Sequence, residues 1–218
     1  MNLSQNLRLI ALGLSAAALG AVGFLAYEHW GAPAAPTLAV SPSGSDDVNA
    51  LTSSPQVPEV RPDFTLHDLT GAKVALSQWQ GQALVINFWA TWCGPCQREI
   101  PLLNRMQAEY GPQGVQLLGI AVDFAEDVRQ FVAKKPLKYP TWVGEEDGAQ
   151  AARAFGIDSL AFPFTAFTDR RGRVLTVHLG ELHEPELRVI LEAIVAVNAG
   201  NMTLEAARAK IAAAQNLP

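Results

Sequence analysis

The sequence predicts an α/β domain, a mixed central sheet covered by helices on both faces, preceded by one membrane-spanning helix. Three observations predict it. Leu84–Trp89, apolar apart from Asn87, and Gly114–Val122 read as strands buried on both faces. A helical stretch follows each, as in strands joined in parallel. Later, two β-type runs flank the turn Asp169-Arg170-Arg171-Gly172, the pattern of an antiparallel hairpin. At the N-terminus, Leu9–Tyr27 carries no charge.

At about 1.5 Å per residue, Leu9–Tyr27 reaches about 28 Å, close to the thickness of a bilayer's hydrocarbon core. Arg8 and the α-amine precede it, Glu28 and His29 follow, and Tyr27 and Trp30 fall at the expected interface. The positive flank predicts the N-terminus inside and the rest of the chain outside. A cleaved signal peptide has a shorter apolar core and a small-residue cleavage site, which Ala32-Pro33-Ala34 fits poorly. A buried core helix would show polar positions at helical spacing, and this segment has none. Residues 1–30 are therefore expected to be an uncleaved anchor. Residues 31–60 are rich in Ala, Pro, Ser and Thr, with Pro33, Pro36, Pro42, Pro55 and Pro58, and read as a semi-extended tether.

The domain is expected over residues 61–198. Asp63–Leu66 and Lys73–Leu76 form a hairpin around Leu69-Thr70-Gly71, and Ser77–Gly81 is a turn or short helix. After the first buried strand comes a helix from Gly94 to Tyr110, ended by Gly111-Pro112 and expected to kink at Pro101, whose ring meets the Gln97 carbonyl. The second buried strand leads to a helix over Asp123–Lys134, stopped at Pro136, and a short helix over Gln150–Phe155, closed by Gly156. Phe164–Thr168 and Arg173–Leu179 make the late hairpin. Pro185–Asn198 is an amphipathic helix, and residues 199–218 form a tail whose Ala-rich helix, Thr203–Gln215, is expected to pack loosely. Two parallel strands, an antiparallel pair and a final helix give the order of a thioredoxin-like fold. To it are added an N-terminal β-hairpin and a helical insertion after the second parallel strand.

The chain has 218 residues, 49% hydrophobic and 17% charged. Its net charge of −5 and its lack of a basic run argue against nucleic acid as a partner. It holds two cysteines, in Cys93-Gly94-Pro95-Cys96. The sulfurs at i and i+3 lie one helical turn apart, close enough to close a small disulfide ring. At the helix start Cys93 faces unpaired backbone N–H groups that favour a thiolate, whereas Cys96 is deeper and suited to resolve a mixed disulfide. Pro95 near the first helical position needs no hydrogen-bonded N–H, and Gly94 lets a partner approach. Zinc needs about four ligands, and His29, His67, His178 and His183 show no ligand spacing. A permanent disulfide across so short a loop would constrain the unfolded chain little.

The run Asn87-Phe88-Trp89-Ala90-Thr91-Trp92-Cys93-Gly94-Pro95-Cys96 resembles a thioredoxin-superfamily active site. Together with Phe64-Thr65-Leu66, Gly71, Glu99-Ile100-Pro101-Leu102-Leu103 and Val115–Val122, it makes the chain from about Pro62 to Leu191 similar to a narrower group. This is the TlpA/ResA/CcmG group of membrane-tethered thiol-disulfide oxidoreductases. The resemblance implies a thioredoxin-like domain in the bacterial periplasm, held at the inner membrane. It implies that Pro163 is a cis-proline, presenting the Phe162 carbonyl to a substrate cysteine beside Cys93. It gives Trp92 the place of an exposed aromatic on which substrates dock. Glu99 matches the group's acidic residue three positions after the second cysteine. Cytoplasmic thioredoxins instead carry an acid where Asn87 stands, and asparagine cannot transfer a proton. Burial would raise the Glu99 pKa and fit it to deprotonate Cys96. Trp89 is expected in the core, and Asp123 receives no role.

The function implied is reduction of disulfides in specific exported proteins, such as those of cytochrome c or copper-centre maturation. The Cys93–Cys96 disulfide is expected to be the redox group, without metal or cofactor. Outside the membrane no NADPH-linked reductase is at hand, so a membrane thiol-electron conduit would re-reduce it. Three other classes are weighed. An oxidant or isomerase of the same fold would show a Cys93 pKa of about 3–4, and the Gly-Pro dipeptide is that of reducing members. A peroxidase would need Pro and Thr where Ile86 and Ala90 stand. A copper-binding assembly factor of this fold spaces its cysteines one residue wider and adds a histidine.

Overall fold

The computed structural model describes residues 57–157 and 161–215. The expected anchor, Leu9–Tyr27, and the tether up to residue 56 lie outside the described residues. Among the described residues, no helix is long and apolar enough to cross a membrane.

The N-terminal hairpin pairs β1 (Thr65–Asp68) with β2 (Lys73–Ala75). Its turn is held by the Asp68 carboxylate, which accepts from the Thr70 N–H at 2.8 Å and the Ala72 N–H at 3.0 Å. Gly71 takes φ +88°, the left-handed region where a side chain would be strained. A short 3-10 turn, Leu76–Trp79, leads to β3 (Ala83–Trp89), buried along its whole length. There follow α1 (Gly94–Tyr110), β4 (Val115–Val122), α2 (Ala125–Lys134) and β5 (Thr141–Gly144). Next come α3 (Glu146–Ala154), the hairpin β6 (Phe164–Thr168) and β7 (Val174–Leu179), then α4 (Glu184–Asn198) and α5 (Leu204–Gln215).

The strands form one sheet in the order β2-β1-β5-β4-β3-β6-β7. β3, β4 and β5 run parallel, and β1, β6 and the edges are antiparallel to their neighbours. The mixed sheet with helical cover agrees with the sequence reading, but two details differ. The parallel set has a third member, β5, which the sequence reading missed. It is four residues long and sits behind Pro140, too short to show a period. The terminal helix is firmly packed: Leu204, Ala207 and Ile211, one stripe at helical spacing, are buried in the same core as α4.

Alternation along β3 places the site. Ala83, Val85, Asn87 and Trp89 point to one face, where α1, α4 and α5 pack; Leu84, Ile86 and Phe88 point to the other, against α3. Asn87 is thus the polar member of an otherwise apolar row lying beneath α1. Its neighbours across the sheet are Gly119 of β4 and Thr165 of β6, then Thr141 of β5 and His178 of β7. A narrow polar band crosses the sheet directly under the first turns of α1.

Candidate active site

The dithiol stands where β3 gives way to α1. Cys93 is the N-cap, in extended conformation, and its sulfur accepts from the Cys96 N–H at 3.2 Å. Pro95 occupies the first turn, where a missing N–H costs nothing. Cys93 and Cys96 are joined as a disulfide, with Cα atoms 5.3 Å apart. Both are buried, Cys96 more deeply. The orphan N–H groups of the helix start, with the helix dipole behind them, point at the Cys93 sulfur and favour its thiolate once the bond is reduced.

The loop from β3 to Cys93 is fixed by groups distant in sequence. The Thr91 N–H and hydroxyl both donate to Asp123 Oδ2, at 2.8 and 2.6 Å. Gln97 donates from α1 to the Thr91 carbonyl at 2.7 Å, and Lys135 in turn donates to Gln97. Asp123, left without a role by the sequence, is therefore the anchor that sets where Trp92 and Cys93 sit. Trp92 is 67% exposed, the most exposed large apolar side chain among the described residues. Its ring centroid lies 6.1 Å from that of Phe162, which continues to Phe164 at 6.3 Å. The Phe162-Pro163 peptide is cis, as expected. Trp89 is in the core, also as expected.

Behind the dithiol lies Glu99, one helical turn past Cys96 and 2% exposed. Its two oxygens are separately bound: Oε1 accepts from Asn87 Nδ2 at 2.8 Å, and Oε2 from the Leu182 N–H at 2.9 Å. Asn87 uses its second amide hydrogen on Thr165 Oγ1, at 3.0 Å. Burial pushes the Glu99 carboxyl up to about 7, against the pull of the two hydrogen bonds, and the negative charge of Glu181 adds to the rise. Tyr139, buried below it, has its phenol raised by burial and by Glu99. A carboxyl balanced near neutrality can hold a proton or release it at physiological pH, which is what a proton carrier for a thiol requires.

The structure brings Cys93, Cys96, Glu99, Trp92, Gly94, Pro95, Phe162 and Pro163 to one end of the sheet, at the C-terminal ends of β3 and β4. The sequence reading missed Asp123 and the Leu182 amide. Asp123 stands just ahead of α2, where an acid is ordinary; Leu182 acts through its backbone, which carries no side-chain signal.

Residues 57–177 match the model of the AhpC/TSA family. Over 134 residues the chain is 34% identical to the thiol-disulfide oxidoreductase ResA of Geobacillus thermodenitrificans, covering 61% of this chain and 75% of that one. Among solved structures, a DsbE-type thiol:disulfide interchange protein from Chlorobium tepidum superposes with a TM-score of 0.56 at 31% identity, over 66% of this chain and 97% of the other. A thioredoxin-type protein of Neisseria meningitidis superposes with a TM-score of 0.54 at 27% identity, over 62% and 88% of the two chains. The fold is thioredoxin-like, as its strand order predicts.

Proposed function

Because the chain belongs to the AhpC/TSA family and is a thiol-disulfide oxidoreductase within it, we propose that it reduces disulfides of a limited set of exported proteins from a tether at the inner membrane. The observation that carries this reading is the buried Glu99, held one turn behind the Cys93–Cys96 pair.

The Cys93 thiolate attacks a substrate disulfide, forming one S–S bond and expelling one substrate thiolate. The partner is then held as a mixed disulfide between the Trp92–Phe162 surface and Pro163. Glu99, as carboxylate, takes the proton of Cys96. The Cys96 thiolate attacks the Cys93 sulfur, releases the second substrate thiolate and closes Cys93–Cys96. Two electrons pass from the dithiol to the substrate, and the cysteines need no further redox group. A membrane thiol-electron conduit restores the dithiol by the reverse exchange. The uncharged run Leu9–Tyr27 supports the tether, and the Gly94-Pro95 dipeptide supports the reducing direction.

A Cys96→Ala variant of the full chain cannot resolve its mixed disulfide, so substrates stay bound to Cys93. Recovery of a few exported cysteine proteins, identified after reduction, is the expected result; a nonspecific spread of adducts overturns a limited clientele. Direction is read from the potential of Cys93–Cys96. A value of about −270 mV, that of reducing thioredoxins, supports a reductant, and one of about −120 mV marks a disulfide donor.

A further inference from the structure

The chain between β7 and α4 passes the site as three consecutive residues, each tied to a different part of it. Gly180 donates its N–H to the Pro163 carbonyl at 2.9 Å. Glu181 receives the guanidinium fork of Arg98, with Nε donating to Oε1 and Oε2 at 3.1 and 2.9 Å and Nη2 to Oε2 at 2.5 Å. Leu182 donates its N–H to Glu99 Oε2 at 2.9 Å. Arg98 and Glu99 are neighbours in α1, and Glu181 and Leu182 are neighbours in the strap, so the two contacts are successive rungs between the same two segments. The outer rung is exposed on the Arg98 side; the inner rung is buried. Arg98 also lies over the first helical turn, with Nη1 3.7 Å from where a Gly94 side chain would begin.

We infer that Arg98 and Glu181 are positioning residues: their ion pair clamps the Gly180–Leu182 strap so that the Leu182 N–H stays on Glu99 and the strap keeps its hold on Pro163. This deepens the proton-carrier reading of Glu99 and rests on it for its consequence in turnover. In an exposed setting a forked pair adds little to global stability. Its effect is local: the pair joins strap and α1 one residue from the carboxyl, while the Leu182 side chain anchors the strap separately in the core beside Leu102 and Leu103. Released from Arg98, the strap lifts, Glu99 loses one of its two donors, and the carboxylate is less well held.

The charged and titratable groups that act on Glu99 are Glu181 from the strap and Tyr139 from the segment before β5; Arg98 of α1 and His183, just before α4, act in turn on Glu181. Removing Arg98 both unpairs Glu181 and frees the strap, and both changes favour protonated Glu99. The sign is therefore upward. In the disulfide form neither cysteine titrates, so a carbon-13 label on the Glu99 carboxyl reports its own proton. Hydrogen exchange of the Leu182 amide reports the strap.

In Arg98→Gln of the full chain, the Glu99 midpoint is expected to rise by about half a unit, and Leu182 exchange to quicken by about threefold or more. The double variant Arg98→Glu with Glu181→Arg reinstates a pair with reversed charges, so the amide is expected to slow again while the midpoint falls. A midpoint that rises with no change in exchange assigns the effect to charge alone and overturns the clamp, as does no change in either. Both readouts come from the resting protein. If Glu99→Gln leaves the rate of mixed-disulfide release untouched, the proton-carrier reading fails, while the clamp stands or falls on its own measurements.

Discussion

Glu99 is held by two donors that favour its charged form, yet it titrates near neutrality because burial outweighs them. A carboxyl whose pKa is raised on folding binds its proton more tightly in the folded chain than in the unfolded one. Its contribution to stability is complete below about pH 4.5 and is lost as the pH rises through about 7. The size is of order 3 kcal/mol across that window. In denaturation of the disulfide form, the natural chain should lose stability from pH 4.5 to 8 relative to Glu99→Gln, which has no proton to release. Parallel pH profiles for the two chains would show that Glu99 stays charged throughout. The same residue predicts a kinetic sign. Release of the mixed disulfide should gain rate as the pH passes about 7, and Glu99→Gln should remove that step from the profile. Much of this was legible through the family resemblance, which sets Asn87 where cytoplasmic thioredoxins carry an acid and matches Glu99, a turn beyond Cys96, to the group's acidic residue. What could not be read is the Leu182 amide, because a backbone donor in a loop has no residue type to betray it.

At the scale of elements, the polar band under α1 includes a close approach at Gly119 that any side chain would crowd. A side chain at Gly119 would begin 3.1 Å from the Tyr139 ring, 3.2 Å from the Trp89 indole nitrogen and 3.3 Å from the Thr141 hydroxyl. Two of these neighbours are large rings buried between the sheet and the helices, with little room to retreat. Replacing glycine in a strand would otherwise gain up to about 1 kcal/mol through the unfolded chain. Overpacking against the rings reverses that sign, and Gly119→Ala is expected to lose about 1–2 kcal/mol. Chemical denaturation of the disulfide form measures it, and an unchanged or higher midpoint would mean that Tyr139 and Trp89 move aside. The expected β3, β4 and α1 were found where apolar runs, Pro95 and Gly111 mark them, because each is long enough for burial to imprint a pattern. β5 was not, since four residues after Pro140 cannot show one. Yet it is β5 that flanks Gly119 and gives Tyr139 its place beside Glu99.

The whole molecule is held together by its C-terminus more than an Ala-rich composition suggests. Ile211 is 1% exposed and lies with Leu204 and Ala207 against the α4 residues Leu187, Ile190 and Ile194. On the other side Arg208 donates to the Val174 carbonyl at 2.6 Å, pinning the start of β7. α5 thus braces both elements from which the Gly180–Leu182 strap is hung. If it belongs to the same cooperative unit as the dithiol, loss of its packing must lower the stability of the entire domain rather than fray one end. Ile211→Ala is expected to cost about 2–4 kcal/mol, the usual range for a branched side chain removed from a packed site. Lys210→Ala, on the exposed side with only a 3.8 Å ion pair to Glu192, should change stability by less than about 0.5 kcal/mol. Followed by Trp fluorescence and by far-ultraviolet circular dichroism, the Ile211→Ala chain should unfold in one transition, shifted equally in both signals. An early loss of helix signal that leaves the tryptophan transition in place would detach α5 from the fold, and with it the brace on the strap.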